Sequence, residues 1–419
     1  MRRRDEIIME YGTYMLVYFV SYIASLAHLH YISGILLILE AVYLYLHWVR
    51  ESQNVTELRA LFTLAWVGGQ GIACLKLSRL QTDWNYLTWI CFFLVYIGFG
   101  IGYEWGRKYR PDEKKEPDRN KVQADRLFLC IVTLALASVL SLLFQRTGLG
   151  GISGSCSLIP AITVLYGKVS TGSGWKEKTV LVLANVTAIV IPVLRMSRFH
   201  LFFAVCFAMV TYIMVNRRMR IRTMAGIVLA LLPVYVALTV FRYHDTVYLN
   251  SVFEMKYGRM PIFITQPYIY VANNFENFNC MVERLTKHTL GVRMLSPFFA
   301  LTGLKRVFPQ LTVPVVYLTK PELKTLTMFY DAYYDYGAIG VFLFAALTGV
   351  AAKWVMRIVK KSENPVVYLF YGQMAVYLGL AFFTTWFSNP IIWFWLILTG
   401  MMYWFTGHDK NKKRNGKQE

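Results

Sequence analysis

Apolar runs of about 20 residues, the length of an α-helix that crosses a bilayer, recur along most of this chain. Polar segments separate them, and the run at 149–166 differs in being rich in Gly and Ser. The pattern predicts an all-α polytopic integral membrane protein. We predict about twelve transmembrane helices, at 11–29, 31–49, 56–75, 84–106, 127–144, 149–166, 177–194, 198–215, 224–241, 333–356, 365–383 and 388–406.

One long segment, residues 242–328, lacks this pattern and is predicted to be an extracytoplasmic loop. Two polar borders flank it, at residues 195–200 before it and at residues 329–340 after it. The chain then divides into six parts. These are the first four spans (1–106), a charged cytoplasmic loop (107–126), the central spans (127–241), the long loop (242–328), the last three spans (329–406) and a basic tail (407–419).

Composition agrees with a membrane protein, because 56% of the residues are hydrophobic and only 16% are charged. A soluble domain carries about 25% charged residues. The formal net charge of +20 lies mostly between the apolar runs. It therefore favours membrane lipids and a phosphorylated substrate as partners over nucleic acid. Among the six cysteines only Cys280 lies in the long loop, so no internal disulfide is expected there.

The distribution of Lys and Arg predicts the orientation. With both termini cytoplasmic, the inner segments hold 29 of the 44 basic residues, and the outer side holds 15, of which 10 are in the long loop. Long loops cross the membrane largely regardless of charge, so the short loops decide the orientation, with 29 inside against 5 outside. This ratio puts residues 242–328 on the outer side.

Arg195 and Arg198 lie in the short outer turn between two predicted spans, close to His200. Charged groups near bilayer depth are costly, so they are candidates for function. The alternative is that both arginines only snorkel to the outer head groups.

The long loop combines aromatic and carboxamide side chains around Tyr268, Asn273 and Asn274, which suit the apolar faces and polar edges of sugars. An ordered helix with its own small core explains the same pattern. Residues 293–306, apolar between basic ends, predict a helix in the outer interface or a re-entrant segment, with packing as its main role.

Asp331 and Asp335 follow the loop and, being four residues apart, fall on one face of a helix. Acidic residues also stabilise the positive end of a helix dipole, which is the simpler explanation. The functional alternative is that Asp335 orients an arginine or accepts a proton from a substrate hydroxyl.

Several catalytic signatures are absent from the sequence, namely a Walker motif, a His-Glu-x-x-His metal motif, a nucleophile elbow and the Asp-x-Asp of nucleotide-sugar transferases. A transferase with this sequence is therefore expected to use a lipid-linked donor.

Two short motifs and the layout of the chain resemble bacterial oligosaccharide repeat-unit polymerases, the Wzy-type family of O-antigen and capsular polysaccharide polymerases. Ser197 and Arg198 match a Ser-Arg turn before a span. Residues 335–340, DYGAIG, match an Asp-aromatic-Gly-x-x-Gly element after the loop, with Tyr336 where Phe is usual. The resemblance covers the whole chain in layout but only these motifs in sequence.

The resemblance implies a metal-independent, GT-C-like glycosyltransferase of the bacterial cytoplasmic (inner) membrane. It would polymerise undecaprenyl-pyrophosphate-linked repeat units into an O-antigen, capsule or exopolysaccharide, without a cofactor and beside a flippase and a chain-length regulator. An O-antigen ligase-type transferase and a lipid-linked oligosaccharide flippase remain alternatives. We expect pyrophosphate contacts from Arg198, Arg195, Arg242 and Arg259. The candidates for orienting or deprotonating the acceptor are Asp335 and Asp331, and those for sugar contact are Tyr268, Asn273 and Asn274.

Overall fold

The structure, a computed structural model, describes residues 2–105, 117, 119–143, 149–172, 174–216, 226, 246–258, 260–311 and 315–407. Within these residues the protein is helical and holds no strand, only an isolated antiparallel bridge between Ser78 and Met255. The chain forms two compact units, and each is built from separate stretches of sequence. The first unit comprises Met1–Arg107, His244–Lys353 and Tyr377–Pro390, and the second comprises Lys108–Tyr243, Trp354–Val376 and Ile391–Glu419.

The first unit contains four helices from the N-terminal part, four from the long loop and most of a longer one. They are α1 (Arg2–Leu26), α2 (His30–Ser52), α3 (Leu58–Cys74), α4 (Tyr86–Glu104), α9 (Thr246–Phe253), α10 (Ile262–Arg284), α11 (Ser296–Leu301), α12 (Leu304–Val307) and α13 (Tyr330–Lys361). Aromatic rings join α3, α4, α10 and the start of α13 into one core. The Phe275 ring of α10 lies 5.2 Å from both Trp66 and Phe92, and Trp66 lies 5.0 Å from Phe329.

Small residues let α4 and α13 approach closely. A Cβ on Gly98 would lie 2.7 Å from the carbonyl oxygen of Phe342, and a Cβ on Gly102 would collide with the backbone of Ala346. Gly349 faces the backbone of Phe99 in the same way. Close backbone approach through small residues is typical of helix packing in membranes. It fixes the position of α13, whose first turns carry the predicted acidic site.

The second unit contains α5 (Lys121–Leu143), a 3₁₀ helix (Leu149–Leu158), α6 (Ile159–Val169), α7 (Trp175–Leu194), α8 (Arg198–Asn216), most of α14 (Val367–Gly379) and α15 (Pro390–Gly407). Its core includes the Trp395 ring of α15, which lies 5.7 Å from Phe207 and 5.9 Å from Phe203 of α8. Gln373 of α14 donates to the hydroxyl of Thr399 at 2.8 Å, so buried polar groups also join these helices.

Eight helices of the described residues are long and apolar enough to cross a membrane, by length and composition. They are His30–Ser52, Tyr86–Glu104, Lys121–Leu142, Ile152–Val169, Trp175–Leu194, Arg198–Asn216, Tyr330–Lys361 and Pro390–Gly407. Each corresponds to a predicted span, so the prediction of a polytopic helical membrane protein is confirmed. The count of about twelve and the GT-C-like arrangement stay predictions.

The four other predicted spans have different outcomes. Those at 11–29 and 56–75 correspond to the helices α1 and α3, which are not among the eight. The predicted span at 365–383 contains only the 13-residue helix α14, because the chain turns after Gly379. The one at 224–241 lies outside the described residues, apart from Gly226.

Two further segments differ from the expectation. The Gly- and Ser-rich run at 149–166 begins as a 3₁₀ helix and becomes α-helical at Ile159. Residues 293–306 form a turn followed by the two short helices α11 and α12, rather than one continuous helix, and their position as an interfacial or re-entrant segment stays a prediction. Gly303, with φ 76°, separates α11 from α12, and Pro297 lies in the first turn of α11.

Candidate functional site

The acidic border of the loop forms the first turns of α13. Helix α13 begins at Tyr330, and Asp331 and Asp335 lie on one face of it, as their spacing predicts. Gly337 then leaves the helical conformation, with φ 64° and ψ −153°, before the helix continues. A residue with a side chain is strained there, so glycine separates a short helix at 330–336 from the long span.

Asp331 forms a buried ion pair with Arg293. The Arg293 Nε donates to Asp331 Oδ1 at 2.5 Å, and each side chain is only 5% exposed. The guanidinium also lies 4.7 Å from the ring centre of Tyr334 and 5.5 Å from that of Tyr330. Buried charges lose hydration and need a partner with good geometry. The acidic residue that orients an arginine side chain is therefore Asp331, whereas the sequence pointed to Asp335.

Asp335 is fully buried and holds the turn that contains Arg293. Its carboxylate accepts hydrogen bonds from the Thr289 hydroxyl, from the Arg293 backbone N–H at 3.2 Å and from the Met294 backbone N–H at 2.8 Å. Hydrogen bonds to a charged acceptor are stronger than neutral ones. The Asp335 carboxylate is thus bound by donors from Thr289, Arg293 and Met294, and it fixes the conformation of this turn.

His288 closes the other side of this turn. Its Nδ1 lies 3.2 Å from the carbonyl oxygen of Tyr334, and a carbonyl only accepts, so Nδ1 carries the proton. A Cβ on Gly337 would lie 3.1 Å from the His288 Nε2. The break at Gly337 thus leaves room for the imidazole as well as for the change in helix direction.

Arg293 is the residue that the sequence analysis missed, because residues 293–306 were assigned to packing. Its partner Asp331 is 38 positions away, so no local spacing links the two. The sequence contained only a general indication of this pair, namely an arginine at the border of an apolar segment, in a loop that two acidic residues follow directly.

Three candidate sugar contacts lie in α10, where they are buried and bonded within the protein. The Tyr268 hydroxyl donates to Gln81 Oε1 at 2.5 Å and accepts from the Leu77 backbone N–H at 2.7 Å. The other two are Asn273 and Asn274, 1% and 0% exposed. Because these residues bond to other parts of the protein, they have a structural role. This is the alternative to sugar contact given in the sequence analysis, namely an ordered helix with its own small core. Sugar contact stays a prediction.

The two asparagines connect α10 to other parts of the first unit. Asn274 Nδ2 donates to the carbonyl oxygen of Phe382 at 2.8 Å, and its Oδ1 accepts from the Thr325 hydroxyl at 2.6 Å. Asn273 Oδ1 accepts from the Thr319 hydroxyl at 2.8 Å, while its buried Nδ2 has no hydrogen-bond partner among the described residues. Helix α10 is therefore the polar centre of the folded loop.

Glu276, also in α10, fixes the loop between α3 and α4. Its carboxylate accepts from the Thr82 backbone N–H at 3.1 Å, from the Thr82 hydroxyl at 2.5 Å and from the Trp84 indole at 3.0 Å. Burial raises the pKa of Glu276 to about 7, although the bonds from Thr82 and Trp84 lower it. Asn279 Oδ1 continues the contact by accepting from the Asn85 N–H at 2.9 Å.

The second candidate region is the turn between α7 and α8 in the second unit. The Met196 N–H donates to Val193 O at 2.9 Å and the Ser197 N–H donates to Pro192 O at 2.8 Å, with Met196 in the left-handed region at φ 50°. This is the Schellman pattern of a helix end. It places Arg195 at the end of α7 and Arg198 at the start of α8.

The 3₁₀ helix at Leu149–Leu158 provides partners for this turn. The exposed Arg195 donates to the hydroxyl of buried Ser153. The His200 ring lies against Gly154, where a Cβ would be 2.7 Å from the His200 Cε1, and Ser157 donates to the His200 carbonyl at 3.0 Å. The predicted grouping of Arg195 with His200 is thus present, and the Gly- and Ser-rich segment completes it.

The remaining candidates are placed less fully. The Arg198 side chain is half-buried at the start of α8. Arg242 and Arg259 lie outside the described residues. Arg195 and Arg198 belong to the second unit, whereas Asp331, Asp335 and the α10 residues belong to the first.

The fold defines a multi-pass helical membrane protein, and each unit carries a polar turn among the described residues. No protein-family model, curated protein or solved structure matches the chain.

Proposed function

We propose that this protein is a membrane glycosyltransferase that polymerises undecaprenyl-pyrophosphate-linked oligosaccharide repeat units at the outer face of the cytoplasmic membrane. The observation that carries the proposal is the buried Arg293–Asp331 pair, framed by the rings of Tyr330 and Tyr334 at the start of a long apolar helix. The carboxylate and the two rings hold the Arg293 guanidinium in one position, and an arginine held in this way is preorganised to donate to an anion. A lipid-linked pyrophosphate offers the anionic group that such a site suits.

The reaction sets clear demands on the protein. An acceptor hydroxyl attacks the anomeric carbon of the donor glycan, and the bond from this carbon to the pyrophosphate oxygen breaks. The electron pair stays on the pyrophosphate, so negative charge develops on its oxygens, and the hydroxyl proton passes to a base. Arginine offers a planar fork of donors for phosphate, and preorganised donors at developing charge are often the largest catalytic contribution.

In this proposal, as in the sequence analysis, the exposed Arg195 and the half-buried Arg198 of the second unit bind the pyrophosphate, and Arg242 and Arg259, which lie outside the described residues, stay further candidates. In the first unit, taken by itself, Asp331 orients Arg293, which is a candidate anion-binding residue. Asp335 is a positioning residue, since three donors from residues 289–294 already occupy its oxygens.

The experiment is a reconstitution with synthetic lipid-linked repeat units and the purified protein in liposomes. We expect a ladder of glycan lengths from the wild type and a large loss of the ladder in Arg293→Lys, because lysine lacks the fork. Arg306→Ala is the matched control, since Arg306 is an exposed arginine of the same loop. Its ladder should be normal.

Two results would contradict the polymerase proposal. Transfer of a single unit to a different acceptor, without a ladder, would instead indicate a ligase. No transfer at all, at matched protein levels and with intact substrate, would remove the glycosyltransferase assignment.

One observation favours the transport alternative. Glu40 is buried in the apolar helix α2, and Glu10 of α1 pairs with His47 of α2. Ionisable groups within membrane helices are typical of proton relays in transporters. Movement of the lipid-linked oligosaccharide across the liposome bilayer, driven by a proton gradient and without a change in glycan length, would support a flippase.

A further inference from the structure

A histidine pair and an aspartate come together in the first unit. His28 and His30 lie at the turn between α1 and α2, and Asp83 lies in the loop between α3 and α4. His28 Nδ1 is 3.4 Å from Asp83 Oδ2, and His30 Nε2 is 3.6 Å from Asp83 Oδ1. One possible ligand atom from each residue lies within 4.8 Å of the other two.

The two histidine-to-carboxylate distances reach different oxygens of Asp83 and are close to the spacing of neighbouring metal ligands. The three ligand atoms, one from each residue, lie within 4.8 Å of one another, so a bound ion would draw the three side chains slightly closer together. Zn²⁺ is held by nitrogen and carboxylate oxygen at about 2.0–2.2 Å, which puts neighbouring ligands of a tetrahedral site about 3.3–3.6 Å apart. Two imidazoles with one carboxylate are a ligand set for zinc, copper, nickel or cobalt, whereas Mg²⁺ and Ca²⁺ prefer sites made only of oxygen ligands. We propose that His28, His30 and Asp83 bind a divalent transition-metal ion of the zinc type.

The backbone at the turn holds the two histidines in place. The His28 N–H donates to Ser25 O at 3.0 Å and the Leu29 N–H donates to Ala24 O at 2.9 Å, which is a Schellman helix end. His28 takes the left-handed position of this motif, with φ 58°, where glycine or asparagine is more usual. A short turn thereby presents both imidazoles to Asp83.

The site is accessible from solvent, and a lysine of the same protein competes with the ion for Asp83. The side chains of His28 and Asp83 are 74% and 56% exposed, so an ion can reach them from solvent. The largely buried Lys76 also donates to Asp83 Oδ1, and the other oxygen faces His28. Asp83 Oδ1 can thus accept from the Lys76 ammonium group while Oδ2 binds the ion. Three protein ligands leave a fourth position of a tetrahedral ion for water or another ligand.

The site would link the α1–α2 turn to a segment that the long loop also holds. Asp83 lies between Thr82 and Trp84, the two residues that bind Glu276. A bound ion would therefore join the α1–α2 turn to the part of the structure that α10 fixes. This inference does not depend on the proposed glycosyltransferase activity.

The test uses the full-length protein in detergent, purified without a polyhistidine tag. Co²⁺ titration followed by visible absorption reports binding, and displacement by Zn²⁺ gives the affinity for Zn²⁺. We expect one equivalent of Co²⁺ per chain, displacement by Zn²⁺ and no displacement by Mg²⁺. Absence of stoichiometric Co²⁺ binding by the wild type would overturn the proposal without any variant.

The variants identify the ligands. His28→Asn keeps a residue that tolerates the left-handed turn, and it should weaken Zn²⁺ binding by more than the about 10–100-fold that outer-shell changes cost. Asp83→Asn should do the same. Lys76→Met removes a competing positive charge and should tighten binding. His408→Gln, a histidine of the basic tail, is the control and should bind like the wild type. Equal affinity in wild type and His28→Asn would overturn the assignment.

Discussion

Each unit has a polar turn that carries an arginine, and the two turns use it differently. In the first unit, Arg293 is paired with Asp331, faces two tyrosine rings and is 5% exposed. In the second, Arg195 is exposed and donates to the Ser153 hydroxyl. The first turn is organised around internal charge pairing, whereas the second leaves an arginine at the surface. Two arginines that both lie beside predicted spans can therefore differ in burial and in partners, and these contacts decide their roles.

The largest expected effect comes from separating the buried pair. Asp331→Asn leaves the Arg293 charge buried without its carboxylate, which costs about 3–5 kcal/mol of stability in comparable cases. Thermal unfolding of the purified protein in detergent measures the loss. Adding Arg293→Met in the same chain should restore part of the stability, because the unpaired charge is then gone.

Asp335→Asn provides a comparison for this result. It keeps an oxygen that accepts from the turn, so we expect the smaller loss of about 1–3 kcal/mol that an unsatisfied buried group costs. A wild-type melting temperature in Asp331→Asn would show that the Arg293 side chain is not held in this way.

The exposed turn is tested through turnover. If Arg198 grips the donor pyrophosphate with two parallel bonds, Arg198→Ala should lower the rate by about 10²–10³, as the loss of one oxyanion donor does. Arg198→Lys should lose much of the same activity, because an ammonium group has no fork. Both are measured in liposomes with one lipid-linked substrate at matched protein levels.

Arg79→Ala is the control, since Arg79 is an exposed arginine on the predicted outer side. Near-normal turnover by Arg198→Lys would reject the bidentate contact. Near-normal turnover by Arg198→Ala would remove Arg198 from the catalytic proposal.

A smaller loss of stability is expected from a substitution at Gly337, where α13 is interrupted. Gly337→Ala forces a side chain into φ 64° and ψ −153° and towards His288, and strained backbone of this kind costs about 1–3 kcal/mol. We expect a lower melting temperature. Gly167→Ala, in α6 with nothing within 4 Å of where its Cβ would lie, should not lower it. An unchanged melting temperature in Gly337→Ala would indicate that the break is not required.

The smallest expected effect is a pH dependence from Glu276. The pKa of Glu276 is about 7 in the folded protein, whereas the ordinary value for a glutamate is 4.5. Between these two pH values the folded state therefore keeps a proton that the unfolded state has released. This contribution to stability is present at low pH and is lost as the pH rises through about 7. Melting temperatures between about pH 5 and about pH 8 should therefore fall less in Glu276→Gln than in the wild type.

Glu283→Gln, an exposed change on the same helix, should keep the wild-type slope. Identical slopes for the wild type and Glu276→Gln would show that this carboxyl group does not cause the pH dependence.

The sequence could predict those features that depend on local periodicity. Long apolar runs located eight helices of spanning length. The four-residue spacing placed Asp331 and Asp335 on one helix face. Both predictions depend only on neighbours within a few turns of helix.

Other features depend on contacts between distant parts of the chain. The partner of Arg293 is 38 residues away, and the acceptors for Thr82 lie 194 residues away in α10. No spacing rule connects such residues. The 3₁₀ helix at Leu149–Leu158 was also missed, because a Gly- and Ser-rich sequence has little periodicity of its own.

The long separation between Thr82 and Glu276 also has a consequence for biogenesis. The loop between α3 and α4 emerges from the ribosome long before α10, and residues 108–243 of the second unit are made in between. Until α10 follows, Thr82 and Trp84 lack the carboxylate that binds them, and Asn85 lacks the Asn279 oxygen. The first unit therefore cannot complete its polar contacts in the order of synthesis. The α3–α4 loop should therefore complete its contacts only after α10 is made, so chains truncated before residue 262 should retain an α3–α4 loop that is open to proteases.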